Sequence, residues 1–307
     1  MTKFNRQFVT NGLEEALHLP RNGWFRDLLK HWRPAGAGSE PEPQDHLRLA
    51  VRNGYLNFYH AGQSVAKVTF KGGKLEASVH NKYVSGNEDG GQKYVTIADG
   101  RYMDSGGSWV SYREDLVHEW IVATHDYTGD EKKFVDKVVG RNANVIDLEA
   151  GLPWDPAIWP KKSAKRIDLV ELEGSGRSYQ LVFWEAKLVT NSEARSRTAP
   201  KVFEQLKNYT CWLAKHQDEV RAAYQYTCGV LVRLHALAKV LNPRICDLGD
   251  AIVAVSRAEA AQLGVDTAPR LIIDDHDKCA AFTEHLDKLR EQGIQVLLVR
   301  DLAEMVL

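Results

Sequence analysis

The sequence predicts an α/β protein, with a mixed central sheet flanked by helices and a separate N-terminal α+β module. Residues 46–80 alternate between apolar and polar side chains, which is typical of antiparallel strands with one face in water. From residue 113 onward, helical spacing of apolar residues alternates with short apolar strands, which is typical of a sheet covered by helices. We therefore divide the chain into residues 1–110 and 111–307.

The composition is that of an ordinary globular chain of 307 residues, with 44% hydrophobic and 26% charged residues. It contains no apolar run of about 18 residues and no apolar N-terminal signal core, so we expect no membrane contact and no signal peptide. The four cysteines form no C-x-x-C pair, which disfavours a zinc or iron–sulfur site and fits a cytoplasmic setting. The net charge of −1 excludes a globally basic nucleic-acid binder but allows a local basic patch.

The N-terminal part is predicted to begin with two short helices, over residues 11–17 and 24–32. Residues 33–45 contain three prolines, which indicates a connector or surface loop. About four strands follow over residues 46–80, with turns at Gly-containing pairs. A sheet that carries Tyr and Lys could bind nucleic acid or a partner by stacking and charge, although a plain half-buried sheet is the simpler interpretation.

The second part is predicted to open with a helix over residues 113–126, followed by another that ends near Gly140. Thr128 is the expected N-cap of that second helix. A short strand over residues 145–149 comes next, and residues 152–164 form a loop.

One β-hairpin determines the functional interpretation. Its strands, 166–173 and 179–188, flank a Gly-Ser-Gly turn where a positive φ costs little. Asp168 lies near the start of the first strand, and Glu185 and Lys187 lie near the end of the second, on one face. Folding the hairpin brings one carboxylate from each strand together, with an ammonium beside them.

Two carboxylates on an otherwise apolar strand repel each other, and desolvation raises their pKa values. A hard divalent cation removes this conflict, because Mg²⁺ binds carboxylate, carbonyl and water oxygens. We therefore expect Asp168 and Glu185 to hold Mg²⁺, which Mn²⁺ would replace, with Lys187 orienting a water or stabilising charge on phosphorus. An ordinary cross-strand ion pair is the simpler alternative.

The C-terminal segments are predicted to complete the same sheet. The predicted helices are 200–217, 218–241, 248–263 and 277–291, and the predicted strands are 269–274 and 295–299. A strand–helix–strand unit implies parallel pairing through a right-handed crossover. Residues 218–265 would then be an insertion before the last two strands.

The hairpin and the helix after it resemble the motif of the PD-(D/E)XK nuclease superfamily. In that superfamily a helix leads into a three-stranded meander carrying Asp and Glu-x-Lys, and a helix that often carries Gln-x-x-x-Tyr follows. The matching residues are Asp168, Glu185, Lys187, Gln205 and Tyr209. The chain departs from the pattern at Ile167, where the family often has proline. The resemblance covers residues from about 129 to 215 and leaves out residues 1–110.

The resemblance implies a restriction-endonuclease-like core and metal-dependent hydrolysis of nucleic-acid phosphodiesters, DNA rather than RNA, in restriction, defence or repair. It also implies that the Ala186 carbonyl is a metal ligand, that Gln205 contacts the attacking water or the scissile phosphate, and that Tyr209 orients the backbone. A further acidic ligand is expected from Glu131 or from Glu149, with helix capping as the alternative role of Glu131.

Basic side chains near the hairpin are candidates for phosphate contacts. They are Lys161, Lys162, Lys165, Arg195 and Arg197. Trp154 and Trp159 could stack on bases, or the loop that carries them could pack onto the sheet.

Two other functions stay open. A nuclease-fold module without catalysis would bind nucleic acid or a partner protein and show no metal-dependent cleavage. A hydrolase of small phosphate esters would contact few phosphates and so show little salt sensitivity. The sequence has no P-loop signature, so a motor would be a separate chain, and a homodimer or a separate recognition protein are the other partners considered.

Overall fold

The computed structural model describes residues 3–36, 45–85, 93–103, 107–162, 165–176, 178–195, 201–258, 262–276, 279 and 282–307. This part of the chain forms two β-sheets and eight α-helices, which confirms a mixed α/β protein. None of its helices combines the length and the apolar character needed to cross a membrane.

The first sheet is an antiparallel meander of seven strands in sequence order. The helices of this part are α1 (Leu13–His18), α2 (Gly23–His31) and α3 (Asn81–Ser85). The strands are β1 (Arg48–Arg52), β2 (Tyr55–His60), β3 (Gln63–Lys71), β4 (Lys74–His80), β5 (Tyr94–Ala98), β6 (Arg101–Met103) and β7 (Trp109–Ser111). The predicted helices and first four strands are confirmed. The prediction missed β5 to β7, because strands of three to five residues are too short to show a period.

One face of this sheet is apolar and the other is polar, because side chains alternate along each strand. The apolar face packs on α2, where the ring centroids of Phe25 and Phe58 lie 6.3 Å apart. On the opposite face, Asn57 pairs with Lys67 and Lys67 pairs with Ser78 across neighbouring strands. The polar face is thus a continuous surface that spans several strands.

The second part contains five helices and six strands within the described residues. The helices are α4 (Leu116–Thr124), α5 (Asp130–Arg141), α6 (Lys201–Leu241), α7 (Asp250–Arg257) and α8 (Thr283–Glu291). The strands are β8 (Val145–Leu152), β9 (Lys165–Ser175), β10 (Ser178–Leu188), β11 (Leu263–Val265), β12 (Arg270–Asp274) and β13 (Val296–Val299). Their order in the sheet is β13-β12-β10-β9-β8, with β11 paired to β10.

The second sheet is mixed, as predicted. Strands β8, β9 and β10 are antiparallel, whereas β12 runs parallel to β10 and to β13. Helix α5 covers one face, where Phe134 and Val138 share a buried cluster with Trp184. Helix α6 covers the other face, where the Tyr224 ring contacts Phe183 at 6.4 Å between centroids.

The predicted division of the long C-terminal helix is confirmed. The expected helices 200–217 and 218–241 form the two halves of α6, which is kinked at His216, where the backbone leaves the helical φ/ψ region. No Gly or Pro interrupts the helix there, and the His216 ring stacks on Trp212 and lies 3.3 Å from an Asp155 carboxylate oxygen. Within the segment 218–265, predicted as an insertion, β11 adds a short strand parallel to β10.

Buried charges join the two parts of the molecule. The carboxylate of Asp147 on β8 pairs with Arg6 at 3.3 Å and with Arg52 at 2.5 Å, and accepts a hydrogen bond from the Tyr224 hydroxyl at 2.9 Å. Asp136 on α5 is held by Arg48 at 3.1 Å. Removing one partner from such a buried network would leave the other charge buried and unpaired, which is costly. These ion pairs therefore hold the N-terminal sheet against the second sheet.

A buried carboxyl on β9 makes stability depend on pH. Glu171 accepts a hydrogen bond from the Trp184 indole at 3.1 Å, and burial raises the pKa of this carboxyl to about 7. Its stabilising contribution is complete below the unfolded pKa of about 4.5 and is lost as pH rises through 7. Glu171→Gln is expected to raise the free energy of unfolding at pH 8 by about 1–3 kcal/mol and to leave it nearly unchanged at pH 4, measured by urea denaturation. Equal effects at both pH values would contradict this assignment.

Candidate active site

The candidate site lies where the hairpin strands separate. Pairing between β9 and β10 runs from Ser175 opposite Ser178 to Leu169 opposite Trp184, and then stops. The next position on each strand is Asp168 and Glu185, on the same face by alternation, and the Glu185 carboxylate acts on the pKa of Asp168, so the two side chains are neighbours. That they share a metal ion stays a prediction.

Each carboxylate is held by specific donors. The Ala186 amide donates to Asp168 Oδ2 at 2.8 Å. Glu185 Oε1 accepts hydrogen bonds from Lys187 Nζ and from Gln205 Nε2, each at 2.7 Å. The other oxygen, Glu185 Oε2, is buried and has no hydrogen-bond partner among the described residues. A buried acceptor without a donor is costly, so this oxygen marks a position where a cation or a water would be favourable.

Charge is concentrated at this point of the sheet. Burial raises the pKa of Asp168 well above its ordinary value, and the Glu185 carboxylate raises it further, while Lys187 and the Ala186 amide oppose the shift. Burial also raises the pKa of Glu185. Burial disfavours the charged form of Lys187, but the two carboxylates outweigh it and raise its pKa. Lys187 is therefore a permanent cation at neutral pH.

Gln205 and Tyr209 connect α6 to both hairpin strands. They lie four residues apart and so share a helix face. Gln205 Nε2 lies 2.7 Å from Glu185 Oε1 and 2.9 Å from the Tyr209 hydroxyl, which donates to the Arg166 carbonyl at 2.5 Å. The contact between Tyr209 and Gln205 is the one that a purely structural role would require. The same glutamine also holds the Glu185 carboxylate in place.

Glu131 lies in the first turn of α5. Its Oε2 accepts a hydrogen bond from Asn191 at 2.9 Å, and its charge acts on Glu185 and on Lys187. The expected N-cap is wrong, because Gly129 holds that position and the Thr128 hydroxyl donates instead to the Thr124 carbonyl. Asn191, which the sequence analysis overlooked, orients Glu131 from the loop after β10.

Glu149 occupies an unusual backbone position on β8. Its φ is 52°, in the left-handed region that non-glycine residues rarely adopt. Leu148 pairs with Leu169 and Ala150 pairs with Ile167, which places Glu149 opposite Asp168. Its carboxylate is bound by Arg166 at 2.9 Å. Both upstream glutamates thus lie beside the acidic pair, and each has a partner of its own.

The donor set fits a hard cation with few protein ligands. Within the described residues, no group of three or more His, Cys, Asp or Glu is arranged to hold a metal ion. Asp168 and Glu185 supply two carboxylates, and the Ala186 carbonyl points to the same strand edge as its amide. Mg²⁺ commonly binds one or two carboxylates and keeps several waters, whereas structural zinc requires four nitrogen or sulfur ligands. These oxygen donors are of the type that Mg²⁺ and Mn²⁺ bind, and metal binding stays a prediction.

Comparisons with known proteins found no relative. A scan against protein-family models, a search of curated proteins and a search of solved structures each returned no match. The functional interpretation therefore depends on this chain's own residues.

The predicted basic residues are distributed around the site. Lys165 lines a cavity of about 370 Å³ together with Gln205 and Tyr209. Lys161 and Lys162 are exposed nearby. Arg195 contacts the Cys279 sulfur at 3.0 Å, and Arg197 lies outside the described residues. Phosphate contacts by these side chains stay a prediction.

The tryptophans of the preceding loop are packed. Trp159 is 4% exposed, and its carbonyl accepts a hydrogen bond from the Trp154 indole at 3.0 Å. Stacking of Trp159 on a base is therefore wrong, because its ring is covered by the core, and the alternative of a packed loop holds.

Proposed function

We propose that the protein is a metal-dependent nuclease that hydrolyses phosphodiester bonds in nucleic acid, DNA rather than RNA, with a core of the PD-(D/E)XK type. The observation that carries the proposal is the neighbouring pair Asp168 and Glu185, in which one buried carboxylate oxygen has no hydrogen-bond partner within the part of the chain that the structure describes. A role in restriction, defence or repair is consistent with this chemistry.

The acidic pair would bind the cation with the Ala186 carbonyl. The cation would supply positive charge to a phosphoryl oxygen and lower the pKa of a water. Gln205 keeps Glu185 Oε1 in place, and the Tyr209 hydroxyl ties the start of β9 to α6. These bonds fix the carboxylates before substrate arrives, which is the condition for electrostatic catalysis.

Lys187 has a narrower role than the sequence alone suggests. Because the two carboxylates raise its pKa, its ammonium does not lose a proton at neutral pH. This favours a role in which Lys187 would stabilise negative charge that develops on phosphorus over one as a general base. Its 2.7 Å contact with Glu185 keeps the ammonium beside the acidic pair.

The proposal is tested by cleavage of supercoiled plasmid, linear duplex, single-stranded DNA and RNA with Mg²⁺, with Mn²⁺ or with EDTA. We expect metal-dependent cleavage that Glu185→Gln lowers about a thousandfold, comparable with the loss of one preorganised electrostatic group. Glu171→Gln is the matched control, because it is a buried glutamate on the same hairpin but on the opposite face. It should cleave at the wild-type rate.

The alternatives give different results. Binding of nucleic acid without cleavage under any metal condition would replace the proposal by a non-catalytic binding module. Hydrolysis of a small phosphodiester, such as bis(p-nitrophenyl) phosphate, without cleavage of any nucleic acid would identify a small-ester hydrolase. Wild-type cleavage in EDTA would contradict the role of a cation.

A further inference from the structure

A cavity of about 500 Å³ lies between the two parts of the molecule, and we call it the basic cavity. The polar face of the first sheet forms one wall, through Tyr55, Asn57, Lys67 and Tyr94. The second part forms the other wall, including Lys132 and Arg166. The cavity is therefore built by the junction of the two parts.

Strand alternation explains why this wall is polar. Tyr55 pairs with Arg52, Asn57 with Lys67, and His80 with Tyr94, so these side chains share one face. The opposite face of the sheet is apolar and packs in the core, whereas this face is polar and lines the cavity. The polar wall is therefore accessible to a ligand.

Positive charge exceeds negative charge in the basic cavity. Among the described residues that line it are seven Lys and Arg and one carboxylate, Glu149. Arg6 and Arg52 are paired with Asp147. The other five are Lys67, Lys82, Lys93, Lys132 and Arg166, of which Arg166 pairs with Glu149. In a chain with a net charge of −1, this local excess favours a ligand with several negative charges.

Aromatic rings lie among these cations. Tyr94 is 39% exposed, and its ring lies 5.5 Å from Lys67 Nζ and 5.9 Å from Lys93 Nζ. Tyr55 is half-buried on the same wall. A tyrosine face beside lysines is the combination that stacks unpaired bases and binds their phosphates. Inorganic anions or acidic peptides would use the charges but not the rings.

The basic cavity also adjoins the acidic pair. Arg166 lines it two residues before Asp168, and Glu149 lines it opposite Asp168. The neighbouring Lys165 lines the second cavity, which contains Gln205 and Tyr209. Lys165 and Arg166 of β9 therefore border the two cavities, and Asp168 follows two residues later on the same β-strand.

We propose that the basic cavity binds a single-stranded segment of the nucleic-acid substrate, next to the phosphodiester that is cut. Its volume is in the range of small-molecule pockets, which accommodates unpaired nucleotides. Ser64 donates to Asn57 Oδ1 and Gln63 donates to the Tyr127 carbonyl, so the polar side chains of this wall are held in fixed positions. The position relative to the cut rests on the proposed nuclease function, whereas binding itself does not.

Fluorescence anisotropy with labelled single-stranded DNA, single-stranded RNA and duplex DNA in EDTA tests binding without cleavage. We expect wild type to bind single-stranded nucleic acid more tightly than the duplex. Comparison of single-stranded DNA with single-stranded RNA shows which sugar the protein prefers. The double variant Lys67→Ala/Lys132→Ala should weaken single-strand binding at least tenfold. It should also lower the slope of log K against log salt by about 1.4, since each lost phosphate contact contributes about 0.7.

The matched control is Lys71→Ala/Lys74→Ala, which removes two exposed lysines from the turn of the same sheet, outside the cavity. It should bind as wild type does, and circular dichroism should show both doubles folded. Equal weakening in both doubles, or a preference for duplex, would overturn the proposal. If wild type cleaves nucleic acid but Lys67→Ala/Lys132→Ala binds it as tightly as wild type does, the cavity is not the binding site and the nuclease function stands. If wild type binds a single strand but cleaves no nucleic acid, the nuclease function is rejected and the binding site stands.

Discussion

Asp168→Asn is expected to abolish metal-dependent cleavage and to stabilise the metal-free protein. Asparagine keeps an oxygen for the Ala186 amide but removes the charge that faces Glu185. Cleavage should fall about a thousandfold. Burial and Glu185 raise the pKa of Asp168, so its contribution to stability is present at low pH and is lost as pH rises through the folded-state pKa. The variant should therefore be more stable than wild type at pH 8.

Urea denaturation in EDTA at pH 4 and pH 8 measures the free energy of unfolding of the metal-free proteins. The same measurement with Mn²⁺ in place of EDTA gives the effect of the metal. Manganese should raise the stability of wild type at pH 8 and leave Asp168→Asn unchanged, because a ligand stabilises only the state that binds it. If the variant is less stable than wild type in EDTA at pH 8, the Asp168 carboxylate stabilises the fold and is not destabilised by burial and by repulsion from Glu185.

Lys187→Met is expected to change stability in the opposite direction. Methionine matches the aliphatic stem but leaves two opposed carboxylates without their cation. Loss of one partner from a buried pair costs about 3–5 kcal/mol, so the metal-free variant should be strongly destabilised at pH 8. Cleavage should also be lost, because no fixed cation remains to stabilise charge on phosphorus. Thermal unfolding and the plasmid assay measure the two effects.

Lys215→Met is the matched control for this substitution. Lys215 pairs with Asp155 at 2.6 Å, but its side chain is 42% exposed. Asp155 also keeps its contacts with the Ala157 amide and His216, so the loss should be smaller than in Lys187→Met. Divalent metal should recover part of the stability lost in Lys187→Met and none of that lost in Lys215→Met. Equal recovery in both variants would show that the metal does not act at the acidic pair.

The hairpin and its site could be predicted from the sequence because their signals are local. Strand alternation places Glu185 and Lys187 on one face, and the Gly-Ser-Gly turn sets the hairpin that brings Asp168 opposite Glu185. Helical spacing places Gln205 beside Tyr209 in the same way. Local periodicity therefore predicts which residues share a face.

Contacts between distant segments could not be predicted. No local pattern shows that Arg52 and Asp147 would meet, or that Asn191 would hold Glu131. The basic cavity depends on such contacts, since its walls come from two sheets that the sequence treats as separate parts. The left-handed backbone at Glu149 also has no signal, because glutamate rarely adopts it.

Calorimetric titration of Mn²⁺ into wild type, Asp168→Asn and Glu171→Gln at pH 8 tests the shared cation most directly, without substrate. We predict saturable binding to wild type and Glu171→Gln, and binding at least a hundredfold weaker to Asp168→Asn. Equal binding to all three proteins, or no binding to wild type, would contradict the account.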